Sequence, residues 1–435
     1  MRKASLLSHL TLSLFVLQAV GASSISRAEV HLDTAASHFG RMPAVWAMRL
    51  SPDGQKVSYL QYHPEGLPIA KVTDLGTGES NLVLASDKKK GVDLTGCEWA
   101  NPTRLLCKYF GVWRLRGSVL PATRLVAVDI DGKNIQVLVQ RQQQRNNEFA
   151  LHQSEIVDRL PDDPKNIWLR VREKNGMGVS RVDIYRNRLK TIERPQQGIW
   201  AHISDGHGEL RIRKKESRSH WEYEYRLAGK HHWKKLHRYR PDDDQNIYSP
   251  ARIAPGSNEL FVWDWHEGRR ALFKEWLVDD SSQPRRRELV RAHDQVDLLQ
   301  ISGIGESGRP SGVAYRTDRP HVEYFDEKIK AIDQSISEQL PDRIIEYLDE
   351  SWDRRFYLVH ASNDVDPGAY YRYDAASDAL SRIARTHPWL EDVDLAQMTP
   401  IRFPAADGVS VPGYLSDSSP GKAGGFGNVS RSKRL

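Results

Sequence analysis

A short unit of alternating polar turns and apolar strands, returning along most of the chain, limits what this sequence can fold into. In RLSPDGQKVSYLQY (Arg49–Tyr62), the turn SPDG precedes a strand whose apolar residues alternate with polar ones. LPDDPKNIWLRV (Leu160–Val171) and IAPGSNELFVW (Ile253–Trp263) repeat the arrangement, and each is followed by a second strand. Seven such units begin near Ser51, Trp99, Leu160, Ser204, Ala254, Ser302 and Asp349, at a spacing of roughly 45–60 residues. That spacing suits the four-stranded blades of a β-propeller, in which small sheets stack radially because none can bury its apolar faces alone. An array of β-sandwiches would need domain-length breaks between units, and the sequence has none. The expected fold is therefore all-β, a seven-bladed β-propeller over residues 31–390.

One segment leaves the strand rhythm. In VEYFDEKIKAIDQSISEQLPD (Val322–Asp342), Phe325, Ile329, Ile332, Ile336 and Leu340 recur at steps of three or four residues. They form one apolar stripe on a helix whose opposite face is charged. This inserted helix is expected to pack on the propeller surface between the last two blades.

The composition is that of a globular protein, 39% hydrophobic and 28% charged, with a net charge of +6. Acidic and basic residues are interleaved, as in Arg285–Glu288 and in Asp242–Asp244 beside Arg238–Arg240. A nucleic-acid reader needs a concentrated basic face, so that class is set aside. Arg2 and Lys3 precede the apolar run Leu6–Val20, and Val20–Ala22 offers small residues for cleavage. Residues 1–22 thus read as a secretory signal peptide, with a second cleavage site at residue 28. No later segment reaches spanning length, and the chain is expected to be exported, periplasmic or extracellular. In that setting Cys97 and Cys107, placed symmetrically about Pro102 in a hairpin, can face one another as a disulfide. A one-residue bulge would instead leave them as two buried free thiols.

Catalytic motifs are absent. GIGESGRP (Gly303–Pro310) places Arg309 where a G-x-S-x-G elbow needs its second glycine, so Ser307 reads as a turn residue. There is no H-E-x-x-H and no phosphate loop. His231 and His232 are strand neighbours that would point to opposite faces, and with His237 they stand among Lys230, Lys234 and Lys235. Asp242–Asp244 lacks calcium-loop spacing. Asn428–Ser430 matches a glycosylation acceptor. No catalytic residue, cofactor site or metal site is assigned.

Four stretches resemble the prolyl oligopeptidase family of serine peptidases, in its bacterial dipeptidyl or acyl-aminoacyl peptidase branch. FGRMPAVWAMRLSPDGQKVSYL (Phe39–Leu60) resembles the first blade of these proteins, and EYFDEKIKAIDQSISEQLPDR (Glu323–Arg343) their late helix. SNDVDPGAYYRYDAASDALSRIARTHPWL (Ser362–Leu390) is similar to their last blade. MTPIRFPAADGVSVPGYL (Met398–Leu415) resembles the hairpin that opens their α/β-hydrolase domain. The resemblance implies a propeller, then a linker and first hairpin over 391–415, with the remaining hydrolase domain missing and 416–435 a disordered tail. It implies a non-catalytic gating propeller of a serine exopeptidase or oligopeptidase acting on short peptides, inactive alone for want of the Ser/Asp/His triad. A separately encoded hydrolase domain is a candidate partner. The alternative is a stand-alone exported propeller that binds a peptide, protein or envelope component.

Overall fold

The computed structural model describes residues 36–416 except 116, 140–150, 281–282 and 304–308, with side chains 113–115 also left out. The expected signal peptide, the tail after Ser416, Ser307 and the acceptor at Asn428 lie outside the described residues.

Strands with two buried faces need long apolar runs, and the middle strand of each sheet supplies one. In Phe356–Asn363 the alternation divides the side chains cleanly. Phe356 and Leu358 pack with Met48, Leu50 and Val57 on one side, while Tyr357 and Val359 pack with Ile329, Ile332 and Ile336 on the other. The same division recurs at Leu260–Trp263 and Leu105–Cys107. Among the described residues seven such sheets result, with successive strands paired antiparallel in chain order. In the second sheet the short strand His152–Gln153 also pairs in parallel with Ser118–Asp129, and each neighbouring pair of sheets shares one apolar cluster. The architecture is a seven-bladed propeller.

The innermost strands of the blades begin at Trp46, Val92, Ile156, Ile199, Ser249, Leu298 and Ile344. Each precedes the turn that the sequence pattern took as the start of its unit. Those turns join the first and second strands of a blade. Blade six also differs from the expected four strands. Among the described residues it has three, Leu298–Ile301, Gly312–Arg316 and Pro320–Tyr324, followed by helix α1 (Glu327–Gln339). Asp326 caps α1 by accepting from Lys328 N and Ile329 N. The stripe of Ile329, Ile332 and Ile336 covers the face of blade seven that the absent strand would leave open.

Blade one comes wholly from the N-terminal side of the ring and blade seven from the C-terminal side, so no shared sheet closes it. Closure rests on the Met48–Phe356 cluster and on cross-seam hydrogen bonds. Leu50 N donates to Asp349 Oδ2 at 3.1 Å, Trp352 N to Pro52 O at 2.8 Å and Arg372 to Gly54 O at 3.1 Å.

In blade two, Cys97 and Cys107 are register partners and are joined as a disulfide. The final hairpin, Met398–Pro404 and Ser410–Ser416, is a separate two-stranded sheet turned at Gly408. It touches the ring where Met398 N donates to Asp364 Oδ2 at 2.7 Å and where the Tyr414 hydroxyl donates to Asp318 O.

Gly54 tests the closing seam. Its φ is +70°, and an added Cβ would lie 2.2 Å from the Phe356 ring. Gly66 has a similar φ of +80° in open space. Gly54→Ala is expected to destabilise by about 2–4 kcal/mol and Gly66→Ala by about 1 kcal/mol. Urea unfolding of the two variants separates the contact at the seam from backbone strain alone.

Candidate functional site

The innermost strands do not read as apolar runs because they serve three surroundings at once, two neighbouring blades and the centre of the ring. Their inward side chains line a central cavity of about 960 Å³, a volume on the scale of ligand sites. Blade one contributes Ala47 and Arg49, blade two the run Thr95–Ala100, and blade three Ser154–Arg159. His202 and Ser204 come from blade four, Arg252 from blade five, and Glu350 with Trp352 and Arg354 from blade seven.

The wall is charged in both signs. Arg159 pairs with Glu98, joining blades three and two, and Arg354 approaches Glu350 at 3.4 Å. Asp158 accepts from Gly208 N and Leu160 N, each at 2.9 Å, tying blade three to a turn of blade four. Burial lowers the pKa of Arg252, while Asp205 and Asp158 favour its charged form. Burial also raises the pKa of Glu155, against the opposing pull of its partner Arg170 and of Lys108. Trp99 is held by donation from its indole to Arg49 O at 3.2 Å, which binds blade two to blade one. Such a surface, with carboxylates, guanidiniums, backbone groups and two indoles, can hold a polar chain with mixed side chains by hydrogen bonding.

A second, smaller cavity of about 460 Å³ lies between blades three and four. Gly176, Met177, Gly198, Ile199, Trp200 and Glu216 are among its lining. The Trp200 ring is 54% exposed and stands 5.5 Å from the Trp221 ring.

The histidines considered from sequence do not converge. His231 and His232 are exposed ahead of the strand Lys234–Tyr239. His237 lies in that strand, stacked 4.2 Å from Tyr248 and bonded to Asn246 at 2.7 Å. In the nearby acidic loop Arg240 pairs with Asp242. Among the described residues no group of three or more His, Cys, Asp or Glu side chains could hold a metal ion. One Ser–His contact escaped the sequence reading. Ser217 Oγ lies 2.7 Å from His220 Nδ1, within a single turn, and its hydroxyl also donates to His220 O at 3.0 Å. Among the described residues no carboxylate is hydrogen-bonded to His220, so the pair lacks the third member of a triad. No described helix is long and apolar enough to cross a membrane.

His202 was also not legible from sequence, since it carries no motif. It is 7% exposed, both ring nitrogens lack a hydrogen-bond partner, and Arg213 is its register partner on the next strand.

The class of protein is thus a seven-bladed propeller with a mixed-charge central cavity. No protein-family model and no curated protein matches the sequence. Solved structures do match. A prolyl endopeptidase superposes with a TM-score of 0.56 at 12% identity, over 91% of this chain and 59% of its own. Prolyl oligopeptidase B from Galerina marginata gives 0.54 at 10%, over 91% and 60%. A puromycin-hydrolysing peptidase of Mycobacterium tuberculosis gives 0.53 at 12%, over 89% and 60%. The chain therefore has the propeller fold found in prolyl oligopeptidases and related peptidases, and spans about three-fifths of the length of these structures.

Burial pushes the His202 pKa down from 6.5 to about 4, with Glu193 opposing and Arg213, Arg170 and Arg226 reinforcing the shift. The unfolded chain takes up this proton first as pH falls. The contribution to stability is complete above pH 6.5, declines between pH 6.5 and 4, and is lost below, a change of about 3 kcal/mol. Urea unfolding across that range should show a flatter pH dependence for His202→Gln than for the native protein. Equal slopes would contradict the assignment.

Proposed function

We propose that this propeller is the peptide-admitting part of a serine peptidase of the prolyl oligopeptidase kind. The observation that carries the reading is the central cavity, lined by inner strands of six blades, in a fold shared with peptidases of that kind. In this reading short peptides enter the cavity, and folded proteins are excluded by the ring around it. The wall supplies hydrogen bonds to peptide groups and ion pairs to side chains of either sign. Bond cleavage, by acyl transfer from the peptide to an activated serine with release of the amine and then to water, belongs to a hydrolase domain in the same polypeptide or in a separately encoded chain. Export to an oxidising compartment is part of the same proposal, and the Cys97–Cys107 disulfide supports it.

Gly96 provides a clean test. It lines the cavity, and an added Cβ would meet nothing within 4 Å. Gly96→Phe should project a ring into the cavity and obstruct part of it without disturbing a blade. Titration with short peptides, followed by the fluorescence of Trp99 and Trp352, should give saturable binding by the native chain. The variant should bind at least tenfold more weakly at unchanged melting temperature. Equal binding by both proteins would place the peptide site elsewhere, and no binding by either would overturn the proposal.

A further inference from the structure

The seven seams between blades are unequal. The seam from blade four to blade five buries a broad apolar cluster that includes Tyr225, Ile253, Leu260 and Val262, and the closing seam adds backbone hydrogen bonds to its own cluster. Between blades three and four the buried apolar residues of the cluster are Leu160, Trp168, Val179 and Leu210 alone. Val157, Ile192 and Trp233 pack around these four, Ser204 Oγ and Gly208 N donate across the seam to Val157 O and Asp158, and a row of ion pairs runs alongside. Arg213 bonds Glu224 at 2.5 Å and lies 3.7 Å from Glu193, which also meets Arg226 at 3.0 Å. His202 sits at the inner end of this row with both ring nitrogens unpartnered.

Both cavities reach this same seam. The central cavity touches it at Val157 and Asp158 on one side and at His202 and Ser204 on the other. The smaller cavity touches it at Met177 and at Trp200. The physical consequence follows from what each seam loses on parting. An apolar seam exposes surface that water rejects, whereas buried ions regain hydration that offsets the loss of their partners. Among the described residues the seam between blades three and four has the fewest fully buried apolar residues of the seven clusters, four against five or more in the others, and it alone is met by both cavities.

We propose that the ring opens between blades three and four, joining the central cavity to the Trp200 cavity as a lateral passage for short peptides. The role of the passage rests on the peptide-admitting reading above, while the opening itself stands on the seam.

Single cysteines test it in the intact chain, where Cys97 and Cys107 are bonded to each other. Val179 and Val182 lie on one strand, buried in the seams to blades four and two respectively. Val57 and Val262 report the closing seam and the seam between blades four and five. Valine-to-cysteine changes are conservative in volume, and near-UV circular dichroism verifies folding. Under native conditions N-ethylmaleimide should label Val179→Cys at least tenfold faster than Val182→Cys, Val57→Cys or Val262→Cys. A maleimide carrying a tetrapeptide should react at Val179→Cys within about tenfold of the small reagent. Equal labelling at all four positions would mean that only global unfolding exposes them, and fastest labelling at Val57→Cys would place the opening at the closing seam. Either result overturns the proposal, as does exclusion of the tetrapeptide reagent. None of these readouts needs equilibrium peptide binding, so their failure is separable from failure of the Gly96→Phe titration.

Discussion

Everything in this molecule depends on blades covering one another. A four-stranded sheet with apolar residues on both faces is unstable alone, and here each face is matched by the next blade around a closed ring. The demand is strictest where the ring meets itself. Blades one and seven share no strand, so Met48, Leu50 and Val57 must fit against Phe356, Leu358 and Tyr370 with the precision of a core. Gly54 at that joint has no room even for a methyl group.

The same constraint explains α1. Blade six ends after three strands, and the face of blade seven that a fourth would cover still needs apolar neighbours. A helix with one isoleucine stripe supplies them. Its existence and stripe were readable from the spacing of Ile329, Ile332 and Ile336, because a 3.6-residue period is a local property. Its role as a replacement for a strand was not, because that depends on the blade it covers.

A similar division runs through the whole sequence. Second and third strands were legible as apolar runs framed by Asp, Asn, Gly and Pro, since they are buried on both faces. Innermost strands such as Ile199–Ser204 and Ile156–Asp158 were not, because each mixes core residues with polar ones that face the centre. The unit boundaries read from sequence therefore fell one strand late. The cavity was hidden for a related reason. It is assembled from one or a few side chains per blade, brought together by the ring rather than by any motif. The register of Cys97 and Cys107 was partly readable, since the turn between them is symmetric, but sequence alone left the bulge open as an alternative.

Charge is distributed by the same logic. Where a blade face meets only a neighbour, apolar residues seal it, and where it approaches the cavity, ion pairs such as Arg159–Glu98 take over. Between blades three and four that ionic character extends outward along Arg213, Glu193 and Arg226. The closing seam thus combines an apolar cluster with backbone hydrogen bonds, whereas the seam between blades three and four has a smaller apolar cluster beside a row of ion pairs. The most direct test of the central cavity as the peptide site is photo-crosslinking with a short peptide that carries a diazirine, followed by mapping of the adducts. The account predicts adducts confined to Thr95–Ala100, Ser154–Arg159 and His202–Gly206 and their cavity neighbours. Adducts concentrated on outer strands or on the Met398–Ser416 hairpin would contradict it.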